Sequence, residues 1–454
     1  MAIQLSFLGA AGTVTGSKYL LSTPSGKLLI DCGLFQGYKA LRSRNWEALP
    51  VRARDIAAVV LTHAHLDHSG YAPLLLRNGF RGTIHSTTAT RELCRLLLPD
   101  SAHLQEEDAA YANRHGFSRH APALPLYTLA DALEALAHFE AHPFGRSFEP
   151  LPGVRVTFSR AGHILGAASV RVECGHKSIL FSGDLGRPND LLMQPPEPPP
   201  EADYVVVEST YGDREHPVVD VVQEMLGPIK RTIARGGVVV APVFAVGRAQ
   251  SMQYALSQLK ARGDLPSGLP VFLDSPMAIN STGLYKKFST DHRLSAEQCA
   301  AMCGVAQYLR TADESKALAQ RHGPMVILAA SGMATGGRVL HHLKLYAPHA
   351  RNLILLTGFQ SPGTRGATLA SRASTVRIHG QDIALRAEVV QLESASAHAD
   401  AAQIEQWLKR IPHAPKRCFI THGEDGPADC MRQRIERNLG WNVTVALYLD
   451  KVSL

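Results

Sequence analysis

Thr62-His63-Ala64-His65-Leu66-Asp67-His68-Ser69-Gly70 sets four metal-competent side chains within six residues, in the pattern His-x-His-x-Asp-His. The apolar run Ile56-Ala57-Ala58-Val59-Val60-Leu61 precedes it and reads as a buried strand. Tyr71 to Leu76 follows and reads as the first turns of a helix. Three imidazoles and a carboxylate on a strand-to-helix turn suit zinc, which is borderline-soft and takes N and O ligands. The plain alternative is a polar turn rich in histidine. It gives no reason for a carboxylate between the histidines at the end of an apolar strand.

Working outward, the theme repeats. Tyr19-Leu20-Leu21 and Lys27-Leu28-Leu29-Ile30 read as a hairpin turning at Pro24-Ser25-Gly26, and the second strand ends at Asp31-Cys32-Gly33. Asp31 is a strand-end turn residue or a carboxylate that orients a ligand histidine. Val154-Arg155-Val156-Thr157-Phe158 runs into a glycine-bracketed turn carrying His163. Ser178-Ile179-Leu180-Phe181-Ser182 delivers Asp184 to another such turn. One carboxylate can bridge two cations about 3.5–4 Å apart. Helical patterns fall at Ala89 to Leu98, Ser101 to His115 and Leu129 to His138, the last with Leu129, Leu133 and Leu136 on one face.

The bulk numbers bound the class. The chain has 454 residues, 45% hydrophobic and 19% charged, ordinary for a globular protein of one large or two to three smaller domains. A net charge of +7 and a pI near 9.0 permit a polyanionic partner without establishing one. The seven cysteines are scattered and odd in number, which predicts reduced thiols in a cytoplasmic protein. The N-terminus reads directly as a strand, so no signal peptide is expected, and no apolar run is long enough for a membrane span.

A proline-rich connector at 188–203 leads to Tyr204-Val205-Val206-Val207-Glu208, a strand ending in a carboxylate. Strands at Val238 to Pro242, Val271 to Pro276, Met325 to Ala329 and Asn352 to Gly358 alternate with helices at Val218 to Arg235 and Arg248 to Arg262. That alternation predicts a mostly parallel α/β module. Near the C-terminus, strands again end in histidine-bearing turns, Ser396-Ala397-His398-Ala399-Asp400 and Thr421-His422-Gly423-Glu424. Residues 208–386 therefore read as an insertion, with 1–207 and 387–454 as the two parts of one surrounding domain.

The ordered series Asp31, His63-x-His65-x-Asp67-His68, His163, Asp184 resembles the motifs of the metallo-β-lactamase superfamily. Glu208 in Val-Glu-Ser-Thr-Tyr-Gly-Asp-Arg, His398 in Ser-Ala-His-Ala-Asp and His422 in Thr-His-Gly-Glu extend the resemblance to its β-CASP group, over nearly the whole chain. In that group a histidine at the third of these positions goes with RNA-processing members. Ala330 stands where glycine is more usual, which bears on loop geometry and not on the metal ligands.

The resemblance implies an αββα sandwich with an inserted, mostly parallel α/β domain. It implies two Zn2+ per chain: His63, His65 and His163 on one, Asp67, His68 and His422 on the other, and Asp184 bridging. The activity implied is hydrolysis of single-stranded RNA by a hydroxide that two cations activate, leaving a 5′-phosphate. Asp67, His398, Glu208 and Asp31 form the catalytic set. His398 donates a proton to the leaving oxygen with Glu208 orienting it, or the two form an interdomain latch. Ser331, Gly332, Thr335, Gly336, Gly337, Arg338, Ser396 and Ala397 are the phosphate-contacting candidates. The loop 331–338 reads alternatively as an ordinary strand–helix turn. Gly247-Arg248 and Thr364-Arg365-Gly366 are further backbone-tracking candidates. A homodimer is a family-level expectation. Two other classes remain open: a small ester or thioester hydrolase on the same core, and a non-catalytic RNA-processing scaffold.

Overall fold

The computed structural model describes residues 3–116, 118 and 120–454. The chain divides into two compact units. One runs to Glu215 and resumes with His398–Leu454; the other is His216–Ala397.

Among the described residues, the first unit holds two seven-stranded sheets. One has the order Lys451–Ser453, Gln4–Phe7, Tyr19–Thr23, Gly26–Ile30, Ile56–Val60, Thr83–Thr87, Phe139–His142. The other has the order Val443–Val445, Arg417–Thr421, Tyr204–Glu208, Lys177–Phe181, Ala168–Cys174, Val154–Arg160, Ser147–Leu151. Each is parallel over four strands and antiparallel over the rest. The sheets face each other across one core, where Leu5, Phe7, Leu21, Leu28 and Val60 meet Val156, Phe158, Val170, Phe181 and Phe419. On the far side of the second sheet, Val205, Val207 and Ile420 pack against Ile404 and Leu408 of one helix and Met431 and Ile435 of another. Alternation along each strand sends one set of side chains to each layer.

Parallel strands share the direction of their carboxyl ends, so residues just past those ends collect along one rim. Asp31 follows Gly26–Ile30, His63 follows Ile56–Val60, Asp184 follows Lys177–Phe181, Glu208 ends Tyr204–Glu208 and His422 follows Arg417–Thr421. The topology alone thus gathers residues 391 positions apart.

The second unit contains an all-parallel sheet in the order Gln307–Tyr308, Val271–Asp274, Met325–Ala329, Val238–Pro242, Leu353–Leu356, Glu388–Gln391, with an antiparallel hairpin, Thr375–Ile378 and Gln381–Ala384. Two boundaries differ from the sequence expectation. Glu208 pairs with Thr421 in the first unit, so that unit continues to Glu215. Glu388–Gln391 pairs with Leu353–Leu356, so the second unit keeps residues 387–397.

Two local expectations are also corrected. Thr88–His115 is one continuous helix with Pro99 inside it; proline forfeits one backbone hydrogen bond, but its fixed φ is helical. In Leu129–Ala137 the buried residues are Ala132 and Ala135, whereas Leu129 and Leu133 are exposed. The small alanines let this helix lie against its neighbours Ala72–Arg77 and Thr88–His115. All seven cysteines are free thiols, and no helix among the described residues is long and apolar enough to cross a membrane.

Candidate metal centre

The seven residues assigned as ligands come together in the first unit as two groups: His63, His65, His163 and Asp184, and Asp67, His68 and His422. In the first, His65 Nδ1 lies 3.1 Å from His63 Nε2 and 3.2 Å from His163 Nε2. Asp184 Oδ2 lies 3.4 Å from His63 Nε2 and 3.6 Å from His163 Nε2. In the second, His68 Nε2 and His422 Nε2 are 3.1 Å apart, and Asp67 Oδ2 is 3.6 Å from His422 Nε2. Asp184 presents its other oxygen here: Oδ1 is 3.2 Å from His68 Nε2 and 3.6 Å from His422 Nε2.

These spacings fit cations. Ligand atoms about 2.0–2.1 Å from one tetrahedral zinc stand about 3.3–3.4 Å from one another. Asp184 Oδ1 is buried and accepts no hydrogen bond, despite that proximity to His68. A buried acceptor left without a donor is costly unless something binds it.

The surroundings fix the ring tautomers. Asp31 Oδ2 lies 2.7 Å from His68 Nδ1 and accepts the Thr62 hydroxyl at 2.9 Å, while Asp31 Oδ1 accepts the Thr62 amide at 2.8 Å. Thr62 Oγ1, its proton given to Asp31, is 3.1 Å from His63 Nδ1, and Thr210 Oγ1 is 3.1 Å from His422 Nδ1. An Nδ1–H held by these oxygens leaves each Nε2 lone pair aimed inward. Asp31 therefore holds the His68 ring from behind. The sequence carries no signal for the roles of Thr62 and Thr210, although Thr62 adjoins His63 and Thr210 lies two residues from Glu208.

Backbone demands explain the residue types. Asp31 and His422 have φ of +58° and +50°, and Asp and His are among the non-glycine residues that best tolerate that region. Gly33 and Gly186 are needed for close approach: a Cβ on Gly33 would lie 1.6 Å from the Asp67 carbonyl oxygen, and one on Gly186 would lie 1.9 Å from that of Gly162. The Asp-x-Gly turns thus dock the ligand loops onto each other.

Burial holds the His63 imidazole well below its ordinary pKa and the His65 imidazole down to about 4, so both rings are neutral at pH 7. Burial opposes ionisation of Asp184, but His422, His68 and His63 outweigh it and keep that carboxyl well below the usual range. Burial likewise opposes charge on His68, yet Asp184 and Asp31 raise it well above the ordinary value. The proton there is one a bound cation would displace.

His398 stands beside the groups. Its Nδ1 is 3.2 and 3.1 Å from the two Glu208 oxygens, and its Nε2 is 3.9 Å from Asp184 Oδ2. Glu208 is fixed by the Leu185 amide at 2.6 Å. Burial disfavours charge on His398, but Glu208 and then Asp184 lift its pKa to about 9. Both residues belong to the first unit, so their contact is not an interdomain latch.

The phosphate-contacting candidates lie in the second unit. Thr335 is exposed, and its amide donates to Ser331 Oγ at 2.9 Å. Arg338 does not offer an outward charge: its guanidinium donates to buried Asp274 at 2.7 Å and to the carbonyls of Leu309 and Arg310 at 3.1 and 2.8 Å. Gly332 is required by packing, since a Cβ there would meet the Phe244 ring at 2.5 Å. Arg365 donates to the carbonyls of Arg377 and Thr335, and Arg248 is buried. Ser396 is buried and Ala397 half-buried, at the end of the unit.

Comparison with known proteins identifies the family. Residues 11–222 match the metallo-beta-lactamase superfamily model, 249–369 the Beta-Casp domain, and 382–446 the Zn-dependent metallo-hydrolase RNA specificity domain. Ribonuclease TTHA0252 of Thermus thermophilus is 37% identical over 425 residues, covering 92% of each chain. Transcription termination factor FttA of Methanosarcina mazei is 30% identical, covering 100% of this chain and 72% of that one. A crystal structure of a protein of unknown function from Enterococcus faecalis V583 aligns over 100% of both chains with a TM-score of 0.54 and 12% identity, a likeness of fold alone. The chain belongs to the metallo-β-lactamase superfamily, in its β-CASP group.

Proposed function

We propose that the chain is a zinc-dependent ribonuclease that hydrolyses phosphodiester bonds of single-stranded RNA and leaves a 5′-phosphate. The observation that carries this reading is Asp184, which turns one oxygen to His63 and His163 and the other to His68 and His422. A split carboxylate of this kind is what a pair of cations shares. The similarity to ribonuclease TTHA0252 and the match to an RNA specificity domain support RNA as substrate.

Zn2+, two per chain, would sit on the two ligand groups and supply an activated water and Lewis-acid polarisation of the phosphodiester. The protein residues do the rest. Asp31, Thr62 and Thr210 hold the ligand rings in register. Glu208 keeps a proton on His398 Nδ1, and its charge keeps the ring cationic at neutral pH, so Nε2 can protonate the departing 3′-oxygen. Asp67, 3.6 Å from His422 Nε2, would hold the second cation together with His68 and His422. In the second unit, Ser331, Thr335, Gly336 and Gly337 remain the phosphate-contacting candidates, of which Thr335 and Gly337 are exposed.

The test is a substrate panel on metal-assayed protein: 5′-labelled single-stranded RNA, the matching DNA, and nitrocefin, each with and without chelator. Chelator-sensitive cleavage of RNA is expected. Turnover of nitrocefin with no cleavage of RNA would move the reading to a small-ester hydrolase, and no turnover of any substrate by metal-loaded protein would move it to a scaffold.

A further inference from the structure

A separate histidine cluster lies in the first unit. His85 sits on Thr83–Thr87, and Glu140 and His142 on the neighbouring, outermost strand Phe139–His142. The strands are parallel, with His85 opposite Glu140. Paired residues share a face of a sheet, as do residues two apart on one strand, so all three side chains rise from the same side. No spacing in the sequence links them, because His85 lies 55 positions before Glu140.

His85 Nδ1 is 2.9 Å from His142 Nε2, and Glu140 Oε1 is 3.6 Å from that same Nε2. One ligand atom from each residue lies within 4.8 Å of the others. The rings are held in place: Phe148, from the facing sheet, stacks on His142 at 3.7 Å and 5° and lies 5.1 Å from the His85 ring. His85 is buried while the Glu140 side chain is 59% exposed, which leaves a path for an ion from solvent.

We propose that His85, Glu140 and His142 form a further divalent-cation site, with two nitrogens, one carboxylate oxygen and a fourth position open to water. Two histidines and a glutamate are a ligand set zinc accepts. A cation there ties the outermost strand of the sheet to its neighbour through side chains, in addition to the backbone ladder and the Phe148 stack. It would also stabilise the fold by binding only the native state. The alternative is a bare imidazole–imidazole hydrogen bond, which accounts for the 2.9 Å pair and needs no ion.

Zinc content measured by mass spectrometry separates the two. Parent protein, His142→Gln and Glu140→Gln are equilibrated over a range of buffered free Zn2+, with circular dichroism as the check of folding. The proposal expects parent protein to hold one equivalent more than His142→Gln. It expects Glu140→Gln to bind that equivalent at least about tenfold more weakly. RNA cleavage should be unchanged in both variants. Equal zinc in the parent and the folded variants across the whole range overturns the site. If His142→Gln does not fold, Glu140→Gln on the exposed edge decides alone: a parental binding curve there overturns it.

Discussion

Asp31→Asn isolates the role of a single oxygen. The substitution keeps the shape, and asparagine tolerates the backbone at φ +58° as aspartate does. What changes is the donor pattern. Asp31 Oδ2 receives Thr62 Oγ1 and faces His68 Nδ1, and Oδ1 receives the Thr62 amide. An asparagine must put its NH2 on one of these sides. Toward His68, it donates into Nδ1 and forces the ring proton onto Nε2, the atom aimed at His422 and Asp184. Toward Thr62, it faces an amide hydrogen with another donor. Losing a hydrogen-bond partner behind a ligand histidine lowers metal affinity by about 10–100-fold, or about 1.4–2.8 kcal/mol. A zinc-buffered titration of parent and variant should therefore show one equivalent weakened by that factor, while the one on His63, His65 and His163 stays near its parental affinity. Parental affinity for both equivalents in a folded variant would refute the assignment of Asp31 to His68.

Other expectations follow from the same geometry. Thr210→Val removes the oxygen facing His422 Nδ1, and zinc binding on the Asp67 side should weaken by about 10–100-fold, read in the same titration. His398→Ala should lower kcat by about 10²–10⁴-fold, with a smaller loss on a substrate whose leaving group needs no proton; an equal loss on both substrates would make His398 a structural residue. Burial opposes charge on Glu405, but Lys409, Arg434 and Asn438 outweigh it and hold its carboxyl at about 2. A depressed carboxyl stabilises the fold above its ordinary value and loses that contribution as pH falls toward 2. Melting temperature should therefore drop over the acid range in parent protein, and drop less in Glu405→Gln.

Much of the centre was legible because its information is local. Four candidate ligands stand within six residues, and the strand before them and the helix after them have distinct periodicities. His163, Asp184 and His422 were legible only through ordered motifs, since no spacing rule links residues that come from separate strand ends far apart in the chain. The hydroxyls of Thr62 and Thr210 were not legible, because threonine is common and its partner here is set by three-dimensional adjacency. The commitment of Arg338 to Asp274, 64 positions away, was hidden for the same reason. The boundaries moved because Glu388–Gln391 is a short strand like any other; only its pairing with Leu353–Leu356 tells which sheet it completes. The pair His85 and His142 shows the converse, a histidine cluster that pairing creates and sequence spacing conceals.

The central claim is that one carboxylate joins two ligand groups into a single RNA-cleaving centre. Asp184→Asn tests it most directly, with zinc content and cleavage of 5′-labelled single-stranded RNA measured on the same folded sample. Both should fall together, and the cleavage that remains in the parent protein should vanish with chelator and leave 5′-phosphate ends. RNA cleavage at the parental rate by Asp184→Asn, or by chelated parent protein, would contradict it.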